Sequence, residues 1–163
     1  KIDQQIIDKT EIGNILKEEG VSSKVKEKEF YFDCSKYSVL IVDDNKLNLK
    51  VVNRLLEPYN IKCENVESGK ECIEKVKSGK KYDLIFLDHM MPDLDGIETI
   101  RILKKMTDKT LPPIVAMTAN VVTEFREKYI KEGFDDYISK PIDIKRLNKL
   151  LKKYFYKEKK KRK

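Results

Sequence analysis

The fold is decided by residues 84–96, which read LIFLDHMMPDLDG. Four apolar residues run directly into an aspartate, Asp88, and an acidic turn containing Pro92 follows. A short, uninterrupted apolar run is typical of a strand that is buried on both faces of a parallel sheet. Aspartate is a poor strand former, and removing its carboxylate from water costs free energy. Asp88 therefore either caps the turn or takes part in chemistry at the end of the strand.

The same pattern recurs through the chain from Ser38 onward. Five apolar, strand-like segments alternate with five segments in which apolar residues recur at helical spacing. The predicted strands are 39–42, 59–63, 82–87, 113–117 and 137–139, and the predicted helices carry Leu49, Cys72, Ile97, Phe125 and Ile144. This alternation predicts an α/β fold, a doubly wound five-stranded parallel sheet covered by five helices.

Polar side chains follow four of the predicted strands. Asp43 and Asp44 follow the first strand, Asp88 the third, Thr118 the fourth and Lys140 the fifth. The carboxyl ends of parallel strands lie along one edge of the sheet, and ligands bind there at the switch in strand order. We therefore expect three carboxylates, one hydroxyl and one ammonium group to converge on that edge.

This set of groups points to phosphoryl chemistry. Carboxylate oxygens without histidine or cysteine suit Mg²⁺, and a lysine without a glycine-rich phosphate loop suits a single phosphoryl group. A carboxylate can attack phosphorus and form an acyl phosphate. A metal ion and a lysine would then neutralise the charge on the transferring oxygens.

The strand-end segments resemble the receiver domain of two-component response regulators. The similar segments are 39–45 (VLIVDDN), 87–96 (LDHMMPDLDG), 117–119 (MTA) and 137–141 (YISKP). They follow one another in the order and spacing of that family, and the resemblance covers about residues 38–155. It implies a flavodoxin-like fold.

The resemblance also implies a role for each acidic residue. Asp88 is similar to the phosphoacceptor of the family. Asp44 is similar to the direct magnesium ligand and Asp43 to the ligand that acts partly through water. The backbone carbonyl of Met90 would complete the metal site.

Four further residues match the switching part of the family. Thr118 would swing to bond a phosphoryl oxygen, Lys140 would contact another, and Tyr137 would turn inward behind Thr118. The peptide bond between Lys140 and Pro141 is expected to be cis, which proline permits.

The implied function is that of a phosphoacceptor in a two-component phosphorelay. The domain would take a phosphoryl group from a kinase phosphohistidine onto Asp88 with Mg²⁺, and would catalyse only its own phosphorylation and dephosphorylation. The expected partners are a histidine kinase or its dimerisation domain and a histidine phosphotransfer protein. A stand-alone response regulator and an aspartyl-phosphate phosphohydrolase remain alternatives. The phosphohydrolase is disfavoured because Asp43 and Asp44 are adjacent instead of forming a DxD motif on the first strand.

Composition constrains the partners and the compartment. The 163 residues carry a net charge of +7, but residues 157–163 hold six bases and one acid. A terminal cluster of this kind is usually a solvated tail, so we do not expect nucleic acid as a partner. No apolar run approaches the roughly 18 residues of a membrane span, and the three cysteines lack CxxC spacing. We therefore expect a cytoplasmic fragment without membrane contact.

Three segments are expected along the chain. Residues 1–37 are predicted to be a linker or tail with some helix, 38–156 the receiver domain and 157–163 a basic tail. Cys34 is expected in the linker and His89 on the surface.

Several features of the sequence indicate the kind of protein from which the chain comes. The chain begins with Lys1, carries a charged segment ahead of the first strand, and ends soon after the fifth helix. Residues 133–141, GFDDYISKP, resemble receivers of hybrid kinases. We expect the C-terminal receiver of a hybrid sensor histidine kinase, whose parent protein could be anchored in a membrane.

Overall fold

The computed structural model describes residues 31–106, 111–119 and 123–156. The described residues from Asp33 onward belong to one compact unit. The helix predicted within residues 1–37 and the predicted basic tail 157–163 lie outside the described residues. None of the helices in the described ranges is both long enough and apolar enough to cross a membrane.

Five parallel strands form one sheet in the order β2–β1–β3–β4–β5. The strands are β1 (Ser38–Val42), β2 (Lys62–Val66), β3 (Leu84–Asp88), β4 (Ile114–Thr118) and β5 (Asp136–Ser139). The described helices are α1 (Lys46–Leu56), α2 (Gly69–Lys77), α3 (Gly96–Met106), α4 (Thr123–Glu132) and α5 (Ile144–Leu151). A 3₁₀ turn at Glu57–Tyr59 follows α1, and a π-helical turn at Lys152–Tyr156 follows α5. The predicted doubly wound, flavodoxin-like fold is confirmed.

The strand order reverses beside β1, and this reversal positions the site. The chain runs from β1 outward to β2, then returns to the other side of β1 to form β3. Val42 and Leu87 are register partners at the carboxyl ends of β1 and β3. The residues that follow them, Asp43 and Asp88, therefore lie at the same level of the sheet.

The sheet interior is apolar because β3 and β4 are buried along their whole length. Side chains from α2, α3 and α4 complete one core cluster with the strands; its members include Leu40, Cys72, Ile85, Ile100 and Tyr129. Cys72 is fully buried in this core, whereas Cys63 is only half-buried.

The second strand begins and ends three residues later than predicted. β2 begins at Lys62, while Tyr59 lies in the 3₁₀ turn and is fully buried. The Tyr59 hydroxyl accepts a hydrogen bond of 3.0 Å from the side-chain amide of Asn148. The alternating pattern at 59–63 is therefore produced by a buried turn that leads into the strand.

Packing starts ahead of Ser38, and the expectation that Cys34 lies in a linker is wrong. Cys34 is fully buried, and its N–H donates to the carbonyl of Tyr59 at 2.7 Å. The ring of Tyr37 stacks on Phe155 with the ring centroids 4.1 Å apart. These contacts tie the segment before β1 to the turns after α1 and α5.

Two truncations should separate this packing from the residues before it. Removing residues 1–37 deletes the contacts of Cys34 and Tyr37, whereas removing residues 1–32 keeps them. The burial, stacking and hydrogen bond together predict that the longer truncation lowers the free energy of unfolding by about 3 kcal/mol relative to the shorter one. Urea unfolding of both variants measures the difference, and equal stabilities would show that the segment contributes nothing.

Asp136 at the start of β5 should give the fold an acid-sensitive contribution. Burial alone would raise its pKa, but Lys153 at 2.9 Å, the Tyr137 N–H at 2.9 Å and the charge of Arg146 lower it overall. A carboxyl group whose pKa is lowered by folding stabilises the fold at pH values above its ordinary pKa. This stabilisation is lost as the pH falls through the lowered pKa. We expect Asp136→Asn to lower the free energy of unfolding by about 1 kcal/mol at pH 7, given the exposure of Lys153. Urea unfolding should show that the difference from the parent chain shrinks as the pH falls below about 4, and a constant difference would contradict the assignment.

Candidate functional site

Three carboxylates meet at the carboxyl ends of β1 and β3. One oxygen from each of Asp43, Asp44 and Asp88 lies within 4.8 Å of the others. Asp43 and Asp88 are buried, with 0% and 4% of their surface exposed, while Asp44 is exposed. The cluster is therefore sunk into the sheet edge and is open to solvent on the side of Asp44.

The local structure leaves Asp43 available for this cluster. Asn45 caps α1, because its side-chain oxygen accepts from the N–H groups of Leu47 and Asn48. Asp43 instead accepts the N–H of Asn45 at 2.9 Å with one oxygen. Its other oxygen faces Lys140, so the cap and the site use different side chains.

Lys140 joins the two buried carboxylates. Its Nζ lies 2.9 Å from Asp43 Oδ2 and 2.7 Å from Asp88 Oδ1. The Lys140 N–H donates to the carbonyl of Thr118 at 2.8 Å, and the Lys140–Pro141 peptide bond is cis. One ammonium group faces three carboxylates, so the site attracts further positive charge.

The pKa values of Asp88 and Lys140 are both raised. Burial raises the pKa of Asp88; the Lys140 hydrogen bond opposes the rise and the charge of Asp43 adds to it. Burial alone would lower the pKa of Lys140, but hydrogen bonds and charge from Asp88 and Asp43 raise it overall. Lys140 thus remains an ammonium group, and the ionised Asp88 is a more basic carboxylate than an exposed aspartate.

The donor set fits a hard divalent cation. The three acidic residues offer only oxygen, which magnesium prefers to nitrogen or sulfur. Met90 lies two residues beyond Asp88, in the loop from which its backbone carbonyl is predicted to join the site, and its side chain is 72% exposed. The N–H of Gly96 closes this loop by donating to the carbonyl of His89 at 3.1 Å.

Gly96 is required for that closure, and the sequence reasoning gave it no role. A Cβ atom at this position would lie 2.6 Å from the carbonyl oxygen of Asp88. The start of α3 can therefore approach the backbone of the predicted phosphoacceptor only without a side chain. The signal was the glycine at the end of the acidic turn.

Thr118 forms a hydrogen bond with a tyrosine to which the sequence analysis gave no role. Thr118, at the end of β4, is 2% exposed, and its Oγ1 accepts a 2.8 Å hydrogen bond from the hydroxyl of Tyr129 on α4. Tyr137 is half-buried, and the guanidinium groups of Arg126 and Arg146 lie 5.7 Å and 5.3 Å from its ring centroid. The aromatic hydroxyl beside Thr118 thus comes from Tyr129.

His89 is not the exposed side chain that the sequence analysis expected. It is half-buried, and its ring makes an edge contact with Tyr129 at 5.2 Å between centroids. Burial lowers the pKa of His89, so the ring is neutral more readily than an exposed histidine. The burial of His89 depends on its contact with Tyr129 on α4, a residue distant in the sequence, and could not be predicted from His89 alone.

A doubly wound sheet whose edge brings three carboxylates together with a lysine defines the receiver class of two-component signalling domains. The protein-family model of the response regulator receiver domain matches residues 39–152 of this chain. The chain belongs to this family and is a receiver domain of two-component signal transduction.

The chain is similar in sequence to the receiver domains of hybrid histidine kinases. Hybrid signal transduction histidine kinase L of Dictyostelium discoideum is 39% identical over 121 residues, which are 71% of this chain and 7% of that protein. The chain thus spans a small part of the curated relatives that it matches.

Two similar solved structures are receivers with a bound metal ion or a bound partner protein. The receiver of the sensor histidine kinase PA1611 from Pseudomonas aeruginosa has a magnesium ion in its active-site cleft; it is 28% identical with a TM-score of 0.65, covering 72% of this chain and 96% of that one. The receiver of Ssk1 from Saccharomyces cerevisiae was crystallised with the histidine phosphotransfer protein Ypd1; it is 26% identical with a TM-score of 0.64, covering 72% and 88%.

Proposed function

We propose that Asp88 accepts a phosphoryl group from a phosphohistidine and that this domain passes signals in a phosphorelay. One observation carries the proposal: the ammonium group of Lys140 lies within 2.9 Å of both Asp43 and Asp88, inside a cluster of three carboxylates. A nucleophile, an acidic metal site and a cation for phosphoryl oxygens are thereby combined in one place.

Asp88 carries out the covalent step. An oxygen of its carboxylate attacks phosphorus, a new O–P bond forms, and the N–P bond of the phosphohistidine breaks with its electron pair returning to the imidazole nitrogen. Lys140 donates to one phosphoryl oxygen, and the hydroxyl of Thr118 is positioned by β4 to donate to another after it turns. Hydrolysis of the acyl phosphate later restores the carboxylate.

Asp43, Asp44, Asp88 and the carbonyl of Met90 would hold Mg²⁺. The bound ion would supply positive charge to the transferring oxygens. The oxygen-only donor set supports this assignment, as does the magnesium in the Pseudomonas aeruginosa receiver. Tyr137 keeps its predicted role of turning inward when Thr118 moves.

A docking surface for the phosphohistidine partner adjoins the site. Leu47 and Val51 lie one helical turn apart on α1, 67% and 47% exposed, and the exposed Met90 follows β3 at the same edge of the sheet. Exposed apolar side chains at this place suit a helical partner that brings its histidine to Asp88. The Ssk1 complex with Ypd1 supports a histidine phosphotransfer protein as this partner.

The parent protein is, in this proposal, a hybrid histidine kinase. Its kinase part and this receiver domain would both lie in the cytoplasm. The similarity to the Dictyostelium discoideum hybrid kinase and to the PA1611 receiver supports this origin over a stand-alone regulator.

Transfer from a protein donor tests the function. The chain is mixed with a phosphorylated histidine phosphotransfer protein and Mg²⁺, and the products are separated by phosphate-affinity electrophoresis. We expect the phosphoryl group to move to the receiver, and to stay on the donor when the metal is chelated. Retention on every phosphohistidine donor tried, together with no labelling by acetyl phosphate, would overturn the proposal.

A charged substitution separates docking from chemistry in the same assay. Leu47→Glu should slow transfer from the protein donor while labelling by acetyl phosphate stays unchanged. Ile130→Glu on α4, where the parent side chain is 50% exposed, is the matched control and should leave both rates unchanged.

A further inference from the structure

A buried tyrosine occupies the space behind Thr118. The hydroxyl of Tyr129 donates to Thr118 Oγ1 at 2.8 Å, and Tyr129 is fully buried in the core cluster. Its ring packs edge-on against Phe134 at 5.7 Å and contacts His89 at 5.2 Å, both between centroids. At hydrogen-bond distance the two hydroxyl groups leave no room for another side chain between them.

Tyr137 is held in a different place. Its ring is half-buried and lies near two guanidinium groups, those of Arg126 and Arg146. Cations over an aromatic face stabilise the ring where it is. In this structure the hydroxyl of Tyr129 therefore bonds to Thr118, while the ring of Tyr137 packs beside the two arginines.

We propose that Tyr129 is a positioning residue that holds Thr118 in its resting orientation and gates the inward turn of Tyr137; we name this contact the Tyr129–Thr118 latch. The proposal rests on phosphorylation of Asp88 under the proposed function. When Thr118 turns to a phosphoryl oxygen, the latch breaks. The buried phenol then lacks its acceptor, which is unfavourable, so Tyr129 and α4 have to shift.

Two observations support this coupling to α4. Burial raises the pKa of the Tyr129 phenol, against the opposing bond with Thr118, so the hydroxyl is protonated and can donate at neutral pH. Tyr129 also lies on the same helix as Arg126, the cation beside Tyr137, so a shift of α4 alters both tyrosines together. The latch thus joins the active-site threonine to the surface of α4.

Paired tyrosine substitutions in the whole chain test the latch. Tyr129→Phe and Tyr137→Phe each delete one hydroxyl and keep the ring. Without ligands, NMR three-bond couplings of the Thr118 side chain should show one rotamer in the parent chain and in Tyr137→Phe. They should show averaging in Tyr129→Phe. A single unchanged rotamer in Tyr129→Phe would overturn the proposal.

Titration with beryllium fluoride and Mg²⁺, followed by amide shifts in α4, gives the second readout. Loss of the latch should tighten apparent binding by about fivefold in Tyr129→Phe, the equivalent of one hydrogen bond. Tyr59→Phe, which removes another buried, hydrogen-bonded hydroxyl, is the matched control and should leave the affinity unchanged. Equal affinity for Tyr129→Phe and the parent chain, even with reduced stability, would show a merely structural role and overturn the latch. A parent chain with no response to beryllium fluoride would overturn the proposed function, while the Thr118 couplings would still decide the latch.

Discussion

Asp88→Asn should abolish phosphoryl labelling by acetyl phosphate in the presence of Mg²⁺. The amide cannot attack phosphorus as a carboxylate does, so we expect labelling to fall by about 100-fold or more. The other two acids and Lys140 remain in place, which means that the loss can be assigned to the nucleophile. Intact-protein mass spectrometry measures the adduct.

The same variant should be more stable than the parent chain. Asp88 is 4% exposed and lies with Asp43 and Asp44 in one acidic cluster, so its charge is both desolvated and repelled. A neutral amide of the same shape can still accept a hydrogen bond from Lys140. We expect the free energy of unfolding to rise by about 1–2 kcal/mol in urea without metal.

Asp93→Asn is the matched control for both measurements. Asp93 lies in the exposed turn after β3, where its φ of 66° is a conformation that asparagine also adopts readily. It should be labelled and unfold like the parent chain. Full labelling of Asp88→Asn, or equal loss in both variants, would contradict the assignment of Asp88.

Lys140→Met should have opposite effects on phosphorylation and on metal binding. The ammonium group lies 2.7 Å from Asp88 and 2.9 Å from Asp43, so removing it takes a cation from the transferring oxygens and should slow labelling by about 100-fold. The same removal ends its repulsion of a divalent cation held by these acids. Affinity for Mn²⁺, measured by electron paramagnetic resonance, should rise by about tenfold or more.

The substitution should also destabilise the fold without metal. Two buried carboxylates lose their shared ion-pair partner, which typically costs about 3 kcal/mol. Lys153→Met is the control, because Lys153 pairs with Asp136 at 2.9 Å away from the acidic cluster. Weaker Mn²⁺ binding in Lys140→Met, or equal effects in the two variants, would contradict the placement of Lys140 between the acids.

The sheet and the acidic cluster were predictable because they depend on simple patterns. Apolar runs that end in aspartate identify β1 and β3, and parallel strands place their carboxyl ends along one edge. The pairing of Val42 with Leu87 then brings Asp43 and Asp88 to the same level. Nothing beyond strand order was needed to bring Lys140 to that edge.

The contacts behind Thr118 were not predictable in the same way. On the sequence, Tyr129 is one of several apolar residues on a helix face, and this pattern predicts a core residue and no more. Its bond with Thr118 depends on how α4 packs on the sheet. The burial of Cys34 and of His89 likewise depends on neighbours that are distant in the sequence, such as Tyr59 and Tyr129.

One measurement tests the central claim most directly, namely mapping of the acyl phosphate within the chain. The protein is phosphorylated with acetyl phosphate and Mg²⁺, reduced with borohydride, which converts an aspartyl phosphate to homoserine, and digested for tandem mass spectrometry. The account predicts homoserine at position 88, dependent on the metal and absent from Asp88→Asn. Homoserine at Asp43 or Asp44, or none anywhere in a chain that has taken up the phosphoryl group, would contradict it.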